Sequence, residues 1–211
     1  MAKNPYLFKL LLIPALLVCH LLFGFVLRKE ATAGAAGTVK DLTLSPGRET
    51  KMSRLISIYS AEVGIREQSG RNNGKRVEEY LAYVGLSKGN PWCAAFVCWA
   101  LGKAGIKNPR SGYSPALFPE SKVMWRRSGG KSAIKCLTTE SCLTLPQPGD
   151  VFGIYLPEKG RIAHVGFVDS WKGNFLITVE GNTNLAGSRE GDGVYRKRRL
   201  IGAVDRVAKW R

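Results

Sequence analysis

The sequence predicts an α+β domain in which N-terminal helices pack on one face of a C-terminal antiparallel sheet of about five strands. Two patterns support this prediction. Apolar residues recur at helical spacing up to about residue 105. Beyond Pro148-Gly149-Asp150, short runs rich in β-branched and aromatic residues alternate with glycine-containing turns. Helices that precede the strands, instead of alternating with them, are typical of the α+β class.

The chain is basic and long enough for one domain with a short appendage. It has 211 residues, and 32 Lys and Arg against 16 Asp and Glu give a formal net charge of +16. Such a surplus predicts attraction to polyanions such as nucleic acid, anionic lipid or acidic cell-wall polymers. The basic residues are scattered, with one tight run at 196–199, and the sequence lacks a recognisable nucleic-acid-binding motif. We therefore expect no nucleic-acid partner.

Residues 1–30 contain a predicted membrane segment. The 18 residues 10–27 carry no charge, and Arg28-Lys29-Glu30 follow them. As a helix this run spans about 27 Å, close to the ~30 Å hydrocarbon core of a bilayer, which favours an uncleaved transmembrane anchor. The alternatives are a signal peptide cleaved near the small residues Ala31-Thr32-Ala33 and lipid attachment at Cys19.

Residues 31–50 are rich in Ala, Gly, Thr and Ser and lack an apolar period, so we interpret them as a linker. The folded domain is then 51–211. An anchor or a signal would place this domain in the cell envelope, outside the cytoplasm, or secrete it.

Three helices are predicted in the first half of the domain. The third is the best marked, because an apolar run from Trp92 to Ala104 lies between an expected N-cap at Asn90-Pro91 and a stop at Gly105. The first two end before Gly64 and Gly85, and their apolar residues recur at helical spacing: Leu55, Ile56, Tyr59 and Val63 in one, and Val77, Tyr80, Leu81 and Val84 in the other.

Residues 107–145 are rich in Ser, Gly, Pro and charged residues, and we interpret them as an irregular connection with a short helix around residues 122–127. Cys136 and Cys142 would close a small disulfide loop in an exported domain or remain free thiols. The strands are predicted after this connection, at 151–156, 163–170, 175–180, 194–201 and 203–207.

Cys93 is a candidate nucleophile. It falls in the first turn of the third helix, where free backbone N–H groups and the helix dipole favour an ionised sulfur. The alternative is a buried core cysteine, which is the commoner role and the one that suits Cys98.

His164 is the sole histidine outside the membrane segment and begins a predicted strand. If residues 171–174 turn this strand into the next as a hairpin, His164 lies beside positions 180–182. Glu180 and Asn182 share one face of that strand, so either would accept the imidazole N–H and hold its tautomer.

These residues belong to segments that together resemble the CHAP domain of peptidoglycan amidohydrolases, a papain-like relative of the NlpC/P60 group. The resemblance covers roughly residues 53–210. Its motifs are Asn90-Pro91-Trp92-Cys93-Ala94-Ala95-Phe96-Val97, Pro148-Gly149-Asp150-Val151, Ala163-His164-Val165-Gly166, Val179-Glu180-Gly181-Asn182-Thr183, and the closing run 187–199.

The resemblance implies a papain-like fold and amide-bond hydrolysis in peptidoglycan, with Cys93 as nucleophile, His164 as base and acid, and Glu180 with Asn182 as orienting residues. The Cys93 backbone N–H would hold the oxyanion. Many papain-like enzymes have glutamine before the nucleophile, whereas this chain has Trp92, so Tyr80 or Asn90 would supply the second donor.

Weaker candidates for substrate contact are Trp92, Tyr80, Asn72 and Asn73, with Arg66-Glu67 beside them in sequence. No cofactor is expected. No C-x-x-C pair occurs, so a zinc site is not expected either.

Three functions stay open from the sequence: an amidase that cuts between sugar and peptide, an endopeptidase that cuts within the peptide, and a non-catalytic wall-binding or scaffolding module of an envelope apparatus.

Overall fold

The computed structural model describes residues 49–128, 131–133, 145–186 and 191–211. Over these ranges the predicted α+β class is confirmed, with three α-helices preceding an antiparallel sheet. The helices are α1 (Lys51–Ala61), α2 (Lys75–Tyr83) and α3 (Cys93–Lys103). The strands are β1 (Val123–Ser128), β2 (Lys131–Ala133), β3 (Val151–Leu156), β4 (Arg161–Lys172), β5 (Phe175–Thr183), β6 (Gly193–Leu200) and β7 (Arg206–Ala208).

The sheet contains seven strands within the described residues, in the order β2-β1-β7-β3-β4-β5-β6, and neighbouring strands are antiparallel. We predicted about five, because β1 and β2 fall in the stretch interpreted as an irregular connection. The helix predicted around residues 122–127 is wrong, since this segment forms β1 and pairs with β7. Val123, Met124 and Trp125 are buried in succession, whereas a surface helix buries one face every three to four residues.

The remaining predicted strands are confirmed with small shifts at their ends. The β3 strand has the predicted bounds, β5 extends to Thr183 at the end away from the hairpin, and β4 is longer at both ends, at one of them because its hairpin turn is shorter. It comprises Gly173 and Asn174 instead of residues 171–174. The predicted strand at 203–207 is partly wrong. Ile201–Ala203 form a 3-10 turn in which the Val204 N–H donates to the Ile201 carbonyl, so strand pairing resumes later, in β7.

The helices begin and end close to the predicted positions. Thr50 caps α1, its side chain accepting a hydrogen bond from the Ser53 N–H at 3.0 Å. Since α1 ends at Ala61, Val63 lies beyond it. The N-cap predicted for α3 is wrong: the cap position is Trp92, with no side-chain hydrogen bond, and Asn90 donates instead to the Ser87 carbonyl at 3.0 Å.

Helix α3 is the centre of the core, and its first nine residues are buried. Phe96 of α3 packs edge to face on Phe167 of β4, with ring centroids 5.9 Å apart, and Tyr59 of α1 stacks on the same ring at 4.7 Å. Val168, the next residue of β4, belongs to a second cluster with Phe152. Because successive strand residues face opposite sides, the central strands are buried on both faces of the sheet.

In the described part of the chain, no helix is long and apolar enough to cross a bilayer. The predicted membrane segment with Cys19, most of the linker, and the pair Cys136 and Cys142 lie outside the described residues. Those expectations stay predictions.

Candidate active site

Cys93 is the first residue of α3 and lies at the border of the core, 6% exposed. Its Sγ is 3.8 Å from the Ser114 Oγ and 4.0 Å from the Ala163 carbonyl oxygen. The imidazole of His164 and the backbone of Val165 are also close enough to this sulfur to lower the pKa of the thiol. Three elements therefore meet at this sulfur: the start of α3, the 3-10 turn Ser114–Leu117 and strand β4.

The donors around the sulfur favour its ionised form. Burial alone raises the pKa of the Cys93 thiol, because a charged sulfur is poorly solvated there. The hydrogen bond and positive charge of His164, with the donors of Ser114 and Val165, outweigh burial and lower the pKa below that of an ordinary thiol. Cys93 is therefore arranged to be a thiolate.

His164 links this sulfur to a carboxylate. Its Nε2 lies 2.8 Å from the Glu180 Oε2, across the β4–β5 hairpin, so Nδ1 is the ring nitrogen left for Cys93. Burial lowers the pKa of His164, but its hydrogen bonds with Cys93 and Glu180 and their charges raise it to about 9. The structure thus brings together Cys93, His164 and Glu180, which the sequence analysis named as candidates for one site.

Glu180 is fully buried and accepts four hydrogen bonds. Oε1 accepts from the Thr178 hydroxyl at 2.5 Å and from the Arg199 Nε at 2.8 Å. Oε2 accepts from the Arg199 Nη2 at 2.5 Å, in addition to His164. Burial raises the pKa of Glu180, but the bonds with Arg199 and His164 hold it well below its usual range. This carboxylate stays charged and fixed in orientation.

Asn182 has a different position from the one predicted. Its Oδ1 accepts a hydrogen bond from the Trp92 backbone N–H at 3.2 Å, and its Nδ2 donates to the Asn72 Oδ1 at 2.9 Å. Its φ is +54°, in the left-handed region that asparagine tolerates better than most residues. Asn182 therefore holds the backbone just before the nucleophile, while Glu180 holds the imidazole.

Glu67 also binds Trp92 and Asn72, the two residues that Asn182 contacts. Its Oε1 accepts the Trp92 indole N–H and its Oε2 accepts the Asn72 backbone N–H, both at 2.8 Å. Its neighbour Arg66 lies over the Tyr195 ring, 3.9 Å from the centroid. The pair predicted to line a groove therefore packs against the protein itself.

The four side chains predicted to contact substrate separate into two groups. Asn72 lines the cavity described below. Trp92 and Tyr80 are fully buried and stack on each other, with ring centroids 5.5 Å apart. The Asn73 Oδ1 accepts hydrogen bonds from Ser69. The structure places these three in packing and loop contacts rather than in the cavity wall.

The expected second oxyanion donors are both engaged elsewhere. The Tyr80 hydroxyl donates to the buried carboxylate of Glu62, and Asn90 donates to Ser87. The Cys93 backbone N–H is one of the first four N–H groups of α3, which lack partners within the helix. Its role as an oxyanion donor stays a prediction.

Cys93 and His164 open into a cavity of about 550 Å³. Charged residues form part of its wall, and the remainder is apolar or amide-bearing. The lining comprises Asn72, Pro91, Cys93, Ile154, Leu156, Glu158, Lys159, Ala163, His164, Asn182, Thr183, Lys197 and Arg199. A thiol and an imidazole in the wall of one concave site make this cavity the candidate active site.

Sequence reasoning missed two partners of the site, Ser114 and Arg199. Ser114 falls in the connection interpreted as irregular, and nothing local marks it. Arg199 could have been found from the sequence. It lies in the predicted strand 194–201, which follows the strand of Glu180, and the alternation of side chains along a strand puts Arg199 on one of its two faces.

Among the described residues, no group of three or more His, Cys, Asp or Glu side chains could hold a metal ion. No protein-family model, curated protein or solved structure matches the chain.

Proposed function

We propose that the protein is a cysteine hydrolase with a papain-like CHAP domain that cleaves amide bonds in bacterial peptidoglycan. The observation that carries the proposal is the convergence of three groups: Cys93 and His164 line one cavity and shift each other's pKa, and the imidazole lies 2.8 Å from Glu180. A thiolate, an imidazole to exchange protons with it and a fixed acceptor for the other ring nitrogen are the requirements of nucleophilic cysteine chemistry.

In the proposed reaction, the Cys93 thiolate attacks the amide carbonyl carbon and forms an S–C bond. The C–N bond breaks as His164 gives its proton to the departing nitrogen, which leaves as an amine. Neutral His164 then takes a proton from water while the hydroxide oxygen attacks the thioester carbon. Cleavage of the S–C bond releases a carboxylic acid and restores the thiolate and imidazolium.

Glu180 and Arg199 support this cycle without touching the reacting atoms. The carboxylate accepts the Nε2–H, so the imidazole keeps Nδ1 directed to the sulfur. Arg199 binds both carboxylate oxygens, which prevents Glu180 from taking the proton from His164. The Cys93 backbone N–H would donate to the oxyanion of the tetrahedral intermediate.

Peptidoglycan as substrate is supported by the resemblance to the CHAP family and by two features of the sequence outside the site. The apolar run 10–27 would anchor the domain in the membrane, with the domain outside the cytoplasm, or would direct its secretion. The net charge of +16 suits binding to anionic wall polymers. Both amidase and endopeptidase activity fit the mechanism, because the reacting bond is an amide in each.

The direct test is digestion of purified peptidoglycan with the full-length protein in mild detergent, followed by mass spectrometry of the new amine. A new amine on the L-alanine released from muramic acid identifies an amidase, and a new amine within the peptide identifies an endopeptidase. Cys93→Ala should abolish the product, whereas Cys98→Ala, the same change on the same helix, should retain it. A product that persists in Cys93→Ala would exclude this mechanism.

The second candidate is a non-catalytic wall-binding or scaffolding module, which the basic charge alone also favours. It predicts that Cys93→Ala retains full peptidoglycan binding and full biological effect, with no cleavage product from either protein.

A further inference from the structure

The wall of the cavity contributed by β6 is cationic. Lys197 and Arg199 are two residues apart on this strand, so their side chains share a face, and both line the cavity with Cys93 and His164. The two cations differ in their partners. Arg199 donates to both oxygens of Glu180, so its charge is balanced by a carboxylate beneath the cavity wall.

Lys197 has no such balance. Its Nζ donates to the Thr183 Oγ1 at 3.3 Å and to the Asn184 carbonyl oxygen. Both partners are uncharged, and no carboxylate in the described part of the chain forms an ion pair with this ammonium. An ammonium has three N–H donors, and these two bonds leave one. Burial and the charge of Arg199 lower the pKa of Lys197 and outweigh the opposite effect of the Glu180 carboxylate.

Besides Lys197 and Arg199, the ionisable residues that line the cavity carry equal numbers of positive and negative charges. Glu158 and Lys159 are adjacent and of opposite sign, and the Cys93 thiolate accompanies the His164 imidazolium. Lys197 is therefore the charge of the wall that an anionic ligand would complement. Its two protein hydrogen bonds already hold the side chain in place, which reduces the entropy cost of binding.

We propose that Lys197, with the outer N–H groups of Arg199, binds a free carboxylate of the substrate. This inference rests on the proposed function and narrows it: the cleaved amide belongs to a peptide with a free carboxylate near the scissile bond. A neutral peptide of the same shape would leave the ammonium unmatched and would bind less tightly.

The test uses a soluble muropeptide with its carboxylates free and the same muropeptide after its carboxylates are converted to primary amides. Both are titrated calorimetrically into full-length Cys93→Ala, which cannot cut them. The free acid should bind about tenfold more tightly than the amide, because a charge-assisted hydrogen bond is lost in the amide.

Variants in the same Cys93→Ala background assign the effect. Lys197→Met should weaken binding of the acid about tenfold and leave binding of the amide unchanged, which also shows that the fold is intact. Lys197→Arg should restore most of the preference for the acid. Lys172→Met, at an exposed position outside the cavity lining, removes the same charge and should change neither affinity.

Equal affinities for acid and amide, binding of neither, or equal losses in Lys197→Met would each overturn the inference. Turnover by the Cys93 protein separates this failure from failure of the proposed function. Cleavage of both muropeptides with equal kcat/KM refutes the carboxylate site alone, whereas a preference for the acid in binding without any cleavage refutes the hydrolase alone.

Discussion

Replacement of Glu180 by glutamine tests whether the buried carboxylate sets the protonation of the imidazole. The side chain keeps its size, but one oxygen becomes an NH₂ donor. Because Thr178, His164 and Arg199 together donate four hydrogen bonds to the two oxygens, at least one N–H donor faces the new NH₂ in either orientation of the amide. The negative charge between His164 and Arg199 is lost as well.

The structure sets the size of both expected effects. Glu180 is fully buried and the Arg199 side chain is 23% exposed, so removal of the carboxylate breaks a buried ion pair and should lower the free energy of unfolding by about 3–5 kcal/mol. The imidazolium loses its counter-charge, so the pKa of His164 should fall from about 9. Loss of the oriented, protonated imidazole should lower kcat by about 10²–10⁴-fold.

Two assays check these values: urea denaturation for stability, and peptidoglycan turnover from pH 5 to pH 10 for the rate and its alkaline limb. Thr178→Val is the matched control, since it removes one hydrogen bond to Glu180 but retains the charge. It should cost about 1 kcal/mol of stability and leave the alkaline limb in place. A Glu180→Gln protein with turnover within about threefold of wild type and an unmoved alkaline limb would refute the reasoning, since charge loss of this kind cannot leave both quantities intact.

Three further outcomes are expected. Iodoacetamide at pH 7 should alkylate Cys93 and leave Cys98 largely unmodified, because neighbouring groups lower the pKa of Cys93 and burial raises the pKa of Cys98 to about 11. Peptide mass spectrometry after a short pulse measures the labelling of both residues. Equal labelling would contradict this expectation. The kcat/KM profile should be bell-shaped, rising with pH as Cys93 ionises below the usual thiol range and falling near pH 9 as His164 loses its proton; a rate that still rises above pH 9 would oppose an imidazolium acid. Ser114→Ala should raise the pKa of Cys93 and move the acid limb to higher pH with kcat at the optimum reduced less than tenfold, and Ser111→Ala, a nearby matched change, should leave that limb in place.

The pairing of His164 with Glu180 was predictable because a hairpin converts sequence distance into spatial distance. Phe167 pairs with Val179, and continuing that register towards the strand ends keeps His164 among residues 180–182. The structure contains a register shift between Val168 and Ser170 and a shorter turn than predicted. The predicted proximity still holds, because the window 180–182 allows an error of one residue in register and a single β-bulge shifts the register by one residue.

Contacts between residues far apart in the chain could not be predicted from the sequence, for a physical reason. Ser114 approaches Cys93 from a 3-10 turn, and no periodicity links those two positions. The β1 strand consists of three apolar residues, two arginines and a serine, so its local pattern fits a short helix as well as a strand. Pairing with β7, about 80 residues later in the chain, selects the strand, and such tertiary selection leaves no local trace.

Burial alone does not distinguish a core cysteine from a nucleophile in this fold, and the sequence alternatives for Cys93 and Cys98 need a different criterion. Both lie on α3, both are buried, and both belong to the same apolar cluster. Each sulfur has a carbonyl oxygen within reach and backbone groups that lower its pKa, but the side chains around the two sulfurs differ. Cys98 donates its S–H to the Ser111 carbonyl at 3.5 Å, an interaction that requires the thiol to keep its proton.

Cys93 has, besides the more distant Ala163 carbonyl at 4.0 Å, three groups that lower its pKa: the His164 imidazole, the Ser114 hydroxyl and the Val165 backbone. Each of these stabilises a sulfur without its proton. Burial then has opposite consequences at the two positions, since it protects a neutral thiol at one and strengthens the attraction between thiolate and imidazolium at the other. Replacing His164 with phenylalanine should therefore make Cys93 behave like Cys98 towards iodoacetamide, with its alkylation rate at pH 7 falling at least tenfold. If the rate stays fast, the helix N-terminus together with Ser114 and Val165 accounts for the ionised sulfur.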